Sequence, residues 1–436
     1  MRIAVVGGGI AGRSAAWLLR RAGRVTLFEA DTRVGGHTHT VEVNIDGQSA
    51  AVDTGFLVFN HHTYPQLTAL FRHLGVETVE TDMSLGVSVD EGALEWSGRS
   101  LDALFAQPGN LWRPAFWGML ADMLRFNSAA TRAACGGGAG RDTLGEFLDS
   151  GHYGAPFRDW YLLPMAASIW SCPPRQMLDY PFATFARFCH NHGLLQIAQR
   201  PRWRTVLGGG REYVRKLLAE LGDVRRGAAV TALRTGSDGL WLHWAGGAAC
   251  FDRVVLACHS DQSLAILGEE ASPEERAVLA AVRYQPNEAW LHTDTALLPQ
   301  RPAVWSAWNF LAGRGQSGEQ PVSVSYLLNR LQPLPFERPL IVSLNPLRPP
   351  HPETVLGRYD YAHPVFDHGA IAAQARLPAI QGRRNIWFCG AWTGYGFHED
   401  GLRSALEVAA AFGLRPPWAV ASPAPGAPAV AEGVPA

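Results

Sequence analysis

"RIAVVGGGIAGRSAAWLLRRAGRVTLFEAD", residues 2–31, reads as strand, glycine turn, helix, strand. Arg2–Val6 and Val25–Phe28 are short apolar runs of the kind that form buried strands. Between them Gly7, Gly9 and Gly12 give G-x-G-x-x-G. Gly7 permits the tight turn, Gly9 lets a pyrophosphate approach the backbone, and Gly12 lets helix pack on strand. The helix, expected from about Ile10 to Arg21, turns its positive end at Ile10 and Ala11 toward the phosphates. The second strand runs into Glu29 and Ala30. Glu29 stands 17 residues after Gly12, placed to accept both hydroxyls of an adenosine ribose. A lone G-x-G-x-x-G is a weak signal. Strand, helix, second strand and terminal acid agree here, so the segment predicts dinucleotide binding.

Length and composition are consistent with that. The chain has 436 residues, more than one ordinary core needs, so two domains are expected. Apolar residues make up 47% and charged residues 18%, a globular balance. The formal charge of −1 gives no reason to expect a nucleic-acid partner. Six cysteines (135, 172, 189, 250, 258, 389) show no CxxC spacing, which argues against zinc and a disulfide framework and fits a reducing compartment. With a strand beginning at Arg2 no signal peptide is expected, and no stretch approaches the ~20 apolar residues of a membrane span. His37/His39 and His61/His62 lack a carboxylate or cysteine at ligand spacing, so no metal site is expected. His190-Asn191-His192 could suggest an HNH nuclease, but its apolar helical surroundings favour a structural or pocket-lining role.

The continuation decides which dinucleotide. "EADTRVGGHTHT" places Gly35 and Gly36 six and seven residues after Glu29, and "AAVDTGFLVFN" follows. This resembles the flavin amine oxidase and phytoene desaturase superfamily, where E-x5-G-G-R precedes a strand and a D-x-G turn. The resemblance places Gly35, Gly36 and His37 on the FAD pyrophosphate, with Gly55 and Phe56 along the ribityl chain and flavin ring. His37 replaces the usual arginine. "WRTVLGGGREYVRKLLAEL", "DVRRGAAVTAL" and "FDRVVLACHS" resemble further segments of the family's flavin domain, with Val230 meeting the adenine. In "CGAWTGYGFHEDGLRSALEVAAAF", residues 389–412, Gly390 ends the last strand of that domain and Asp400-Gly401-Leu402 start its last helix. In the family that helix start faces the edge of the isoalloxazine that becomes negative on reduction. Trp392 stands where many relatives carry an acid.

The resemblance implies an α/β fold, a Rossmann-like FAD-binding domain with an inserted α+β substrate domain. The expected segments are 1–80, 203–268 and 383–415 for the first, 81–202 and 269–382 for the second, and a Pro/Ala-rich disordered tail at 416–436. Residues 100–200 are helical in pattern, whereas "YQPNEAWLHTD", "PVSVSYLLNRLQ" and "PLIVSLNP" suggest a sheet, so helices would roof a pocket floored by strands. Residues 313–321 and 345–352 are rich in Pro and Gly and read as loops. Trp112, Trp117, Trp160, Trp170, Trp203, Trp290, Trp305 and Trp308 fall in or beside these segments, as core packing or as the wall of a tunnel for a long chain.

"CHNHGLL", "RPRWRTVLGGGREYV", "NRLQPL", "VSLNP" and "FCGAWTGYGFHEDGL" are similar to a narrower bacterial group. It is known as predicted NAD/FAD-binding proteins and includes the flavin-dependent desaturase of furan fatty acid synthesis. That implies hydride removal from a methyl-branched fatty acyl chain, free or esterified to phospholipid. It also implies a cytoplasmic enzyme in peripheral contact with the inner membrane face. A flavin amine oxidase is the alternative. Many of these place a lysine near the flavin from a strand of the substrate domain, and the single lysine here, Lys216, lies elsewhere. A non-catalytic flavin- or lipid-binding protein is a further alternative. The segment just before Asn385 holds no cysteine that could tether the flavin, so FAD is expected to be non-covalent. Tyr395 and His398 lie in the turn expected to face the flavin, as proton carriers or as residues that shape it.

Overall fold

The first strand, Arg2–Val6, is the centre of a five-stranded sheet in the computed structural model, which describes residues 1–136, 142–170, 174–196, 200–313 and 322–419. Across the sheet the order is Asp223–Arg225, Arg24–Phe28, Arg2–Val6, Arg253–Leu256, Ile386–Phe388, and every pairing is parallel. Both faces are covered, which is why these strands are continuous apolar runs rather than alternating ones. Ile3, Val5, Val25, Leu27 and Val255 pack in one cluster with Ala11, Ala15 and Leu19 of the helix Ile10–Leu19 and with Ala405 and Val408 of the helix His398–Ala411. Ala4, Val6, Phe28, Val254 and Leu256 share the opposite cluster with Leu233, Leu240 and Leu242 of an antiparallel three-stranded sheet spanning 230–251. There Trp244 meets Phe28 with ring centroids 5.1 Å apart.

The second layer system is a seven-stranded sheet in the order 355–365, 283–292, 341–344, 322–327, 308–312, 85–89, 94–97. Helices Pro114–Cys135, Leu163–Trp170 and Phe182–Asn191 roof it, as expected for residues 100–200. Phe116, Phe126, Phe157, Phe185 and Phe188 of the roof share one core with Val87, Phe310, Val324 and Val342 of the floor.

Two expected boundaries differ from the packing. Helices Pro273–Leu279 and His368–Arg376, assigned above to the substrate domain, bury Val278, Leu279, Ala370 and Ala373 in the core of the five-stranded sheet. Periodicity reveals that a helix has an apolar face but not which sheet receives it. The tail expected to be disordered from 416 is ordered through Ala419. Trp418 stacks on Trp17 at 6.2 Å, and its indole N–H donates to Gln66 Oε1 at 2.9 Å. Residues 420–436, 314–321 and Cys172 lie outside the described residues. The five described cysteines are free, no helix is long and apolar enough to cross a membrane, and no group of three metal-ligating side chains occurs among the described residues.

Candidate active site

The carboxyl ends of the parallel strands open into one cavity of about 760 Å³. Ligands of open parallel sheets bind at these ends, because loops and helix starts converge there. Gly7, Gly9, Ile10, Ala11, Glu29, Ala30, Gly36, His37, Gly55, Phe56, Val230, Gly390, Tyr395 and His398 all line it. The cavity then runs under the second sheet, where Tyr64, Met83, Ile169, Trp170, Phe188, His192, Trp203, Trp308, Tyr326 and Leu344 close around it. Sequence reasoning reached Trp170, Trp203 and Trp308 but missed most of the others, which come from segments far apart in the chain.

At the glycine end the wall is backbone. Gly7 holds φ +109°, and a Cβ there would press on the backbone of Ala257 at 2.9 Å. A Cβ on Gly12 would collide with Gly7 O, so this glycine lets helix and strand meet. Gly9 has no atom within 4 Å of its missing Cβ, and Gly36, at φ +57°, would place a Cβ 3.1 Å from Gly9 Cα. Two glycines thus leave a gap between the turn and the 35–38 loop. The helix Ile10–Leu19 has no side-chain cap, so its first amides meet the cavity unpaired. Glu29 sits beside them, its carboxylate accepting from Gly8 N at 2.7 Å and Asp31 N at 2.9 Å. Unpaired amides, a gap that any side chain would fill and a carboxylate at the strand end fit the adenosine diphosphate half of a dinucleotide.

Five assigned residues stand behind this wall. Gly12 serves packing. Gly35 is enclosed by Arg33, whose guanidinium donates to Thr38 O at 2.9 Å and Gly36 O at 3.0 Å. The last helix starts at His398 rather than at Asp400, because the Asp400 carboxylate accepts from Phe397 N at 3.0 Å and fixes the N-terminus there. Gly401 faces Ile10, whose Cγ2 would lie 2.8 Å from an added Cβ, and Leu402 is fully buried among the helices. The backbone that reaches the cavity is therefore Tyr395–His398.

Glu29 is the only ionisable carboxylate, and no lysine or arginine appears, among the described residues lining the cavity. Burial holds the lining histidines neutral. It pushes His363 and His192 down to about 4 and His398 to about 3, and lowers His37 well below its ordinary value. His37 consequently brings no charge in place of the family's arginine. His398 stacks on Phe56 at 3.8 Å, and its Nε2 lies 2.9 Å from Thr38 Oγ1 and 3.2 Å from Tyr213 OH. With that nitrogen engaged and the imidazole hard to protonate, His398 reads as a wall residue. Tyr395 packs on Phe188 at 5.6 Å, and burial raises its pKa. Lys216 donates to the carbonyls of Leu74 and Gly75 at 2.8 and 2.7 Å, closing the helix Pro65–Leu74.

Behind His398 lies a residue that the sequence analysis passed over. Arg13, fully buried, donates from Nη2 to Tyr213 OH at 2.9 Å, while its Nε and Nη1 have no partner. The signal was available: Arg13 is the one charged residue in the run Ile10–Leu19, every residue of which is buried.

A parallel sheet with a dinucleotide crevice, continuous with an apolar chamber under a second sheet, defines a two-domain flavoprotein oxidoreductase. The chain belongs to the flavin containing amine oxidoreductase family, which matches residues 10–327. It is thus a flavin-dependent oxidoreductase. Solved structures share the fold across 94% of this chain. One from Exiguobacterium sp. 255-15, assigned as a protoporphyrinogen oxidase, has a TM-score of 0.68, 16% identity and 98% of its own chain covered. A fatty acid isomerase from P. acnes has 0.66, 15% and 98%. A putrescine oxidase with putrescine bound has 0.65, 18% and 99%. No curated protein sequence matches the chain.

Proposed function

We propose that this enzyme binds FAD without a covalent link and removes hydride from a carbon–hydrogen bond of an uncharged, lipophilic substrate. We take that substrate to be a fatty acyl chain, with methyl-branched chains as the first candidates. The observation that carries the reading is the distribution of charge. The one lining carboxylate lies at the glycine end, and the chamber beyond it is walled by apolar and aromatic side chains. A fatty acid isomerase shares the fold, which is consistent with this reading but does not select it.

FAD, when bound, supplies a two-electron acceptor at its flavin ring. The chain's residues do the rest. Ile10 and Ala11 present helix-start amides to the phosphates, and Glu29 takes the ribose hydroxyls. Phe56, Phe188, Phe397 and Trp308 line the cavity and would exclude water from a hydrocarbon chain held there, as direct hydride transfer requires. Cys389 is buried in the core, and Cys258, its thiol pushed up to about 11, contacts Ser263 Oγ at 3.3 Å. Neither thiol is poised as a tether. The second reading, an amine oxidase, rests on the aromatic wall of Phe188, Tyr395 and Phe397, which could cradle a cation without a carboxylate.

Anaerobic mixing separates the two. Methyl-branched phospholipids and free acids are added in one series, primary amines and polyamines in another, and flavin bleaching and product mass are followed. Bleaching with loss of two hydrogens from the lipid is expected. Bleaching by amines alone, with aldehyde formed, transfers the assignment to the second reading.

A further inference from the structure

We propose that the outer face of the helical roof is a docking surface for an anionic lipid bilayer. Nine large hydrophobic side chains are exposed among the described residues, and five of them, Leu101, Leu111, Trp112, Trp117 and Leu124, fall within one stretch of sequence. Trp112 is 86% exposed and Leu101 76%. They are neighbours in space as well. Trp117 donates from its indole N–H to Leu111 O at 2.9 Å, and its ring lies 5.7 Å from that of Phe105. Phe105 closes the helical turn that begins at Leu101. Leu124 follows Trp117 by two turns on the same face of the helix Pro114–Cys135. Scattered exposed apolar residues need no explanation, whereas a contiguous group marks an interaction surface.

The surrounding charge selects the partner. Arg99, Arg113, Arg125 and Arg132 belong to the same segment, against Asp102 and Asp122. Asp122 is already held, accepting from Arg125 at 2.9 Å and Gly154 N at 2.8 Å. Arg99, Arg113 and Arg132 donate to Ala303 O, Ala93 O and Ser128 Oγ, and none pairs with a carboxylate among the described residues. Exposed indole side chains in a segment with uncompensated arginines match the headgroup boundary of a membrane that carries negative lipids. The contact is superficial, because no helix here can span a bilayer.

The surface also lies over the chamber. The helix Pro114–Cys135 packs through Phe126 onto Phe157 and Phe185, at 5.4 and 6.3 Å. The layer beneath supplies Ile169, Trp170 and Phe188 to the cavity wall. The docking surface stands on exposure and charge, independently of which substrate the cavity takes.

The test is flotation of the full-length holoprotein with vesicles of equimolar phosphatidylglycerol and phosphatidylcholine, beside vesicles of phosphatidylcholine alone. The protein should float with the anionic vesicles and much less with the neutral ones. The double variant Leu111→Glu, Trp112→Glu should lose about tenfold or more in binding, since two apolar contacts are replaced by repelled charges. A second variant, Arg99→Gln with Arg113→Gln, should weaken binding and flatten its dependence on salt. Both variants alter exposed or half-exposed residues, so flavin absorbance and circular dichroism should be unchanged and would reveal misfolding if it occurred. Absence of flotation by the unmodified protein overturns the proposal, as does equal flotation of the double variant. A dimer in light scattering that the double variant abolishes, without vesicle binding, would assign the face to a second copy of the chain instead.

Discussion

Replacing Arg13 by methionine should strengthen the empty protein and weaken its hold on cofactor. The guanidinium is fully buried, has one hydrogen bond, to Tyr213, and leaves Nε and Nη1 unpaired. Burying an ion uncompensated costs several kcal/mol, and the bond to Tyr213 returns about 1.5–3 kcal/mol. Arg13→Met removes both at similar volume, so the apoprotein should gain roughly 1–3 kcal/mol. A bound diphosphate changes the account, because it brings negative charge to the amides one helical turn from Arg13. At ~8 Å and an effective dielectric of about 20, the nearer of the two phosphate charges, the farther one being screened, is worth about 2 kcal/mol to the arginine. FAD affinity should therefore fall by about thirtyfold in the variant, since 1.4 kcal/mol is a factor of ten. Urea unfolding of the apoprotein reads the first effect and calorimetric titration the second. Adenosine and ADP sharpen the comparison, since the variant should lose affinity for ADP and keep it for adenosine. A less stable apoprotein with unchanged ADP affinity would show that Arg13 is a packing residue, and the electrostatic reasoning would fail.

Glu29→Ala should weaken FAD binding at least about tenfold, from the loss of charge-assisted bonds of roughly 1.5–3 kcal/mol, as measured by fluorescence quenching. Glu399 accepts from the first amides of the helix Pro65–Leu74, Gln66 N and Leu67 N, both at 2.9 Å. Glu399→Ala should thus cost about 1–2 kcal/mol in chemical unfolding while leaving the cofactor bound. Stability should fall on acidification below pH 6.5. His292, His363 and His398 have folded values near 4, 4 and 3 against 6.5, so their contribution is complete above 6.5 and each loses about 1.4 kcal/mol per pH unit below it. Asp53, raised by burial to about 7 from 3.8, acts in the opposite direction, its contribution falling as pH rises through that window. Three histidines outweigh one aspartate, and a flat or rising profile from pH 6.5 down to 5 would contradict this balance. NADPH alone should not reduce the flavin quickly in a stopped-flow mixing experiment, because the sequence holds one dinucleotide fingerprint.

What could be read from sequence was what is local. Strand, glycine turn, helix and terminal acid lie within residues 2–29, and each choice there is dictated by backbone geometry at that place. The chamber was legible only as a tendency toward aromatic segments. Its walls join residues such as Met83, Ile169 and Leu344, and no short-range pattern links them. Trp112 and Trp117 show the same limit from the other side. They sit among the residues expected to surround a tunnel and face away from it, since an aromatic residue in an amphipathic stretch does not declare which side is inside. The last helix was expected to start at Asp400 and starts two residues earlier, at His398, because the Asp400 carboxylate accepts from Phe397 N and fixes the end there.

The order of strands in the parallel sheet has a consequence for how the protein comes into being. Arg2–Val6 pairs with Arg253–Leu256, which pairs in turn with Ile386–Phe388. At about 5–20 residues per second, the first strand waits roughly 12–50 s for this second neighbour and longer for the edge strand and the Tyr395–His398 turn. Until then the crevice lacks one wall, and contacts of such sequence separation form slowly. Cofactor loading is thereby placed late in folding. Conditions that starve the cell of flavin should leave a nearly complete chain with an exposed apolar chamber, the species most prone to aggregate or be degraded.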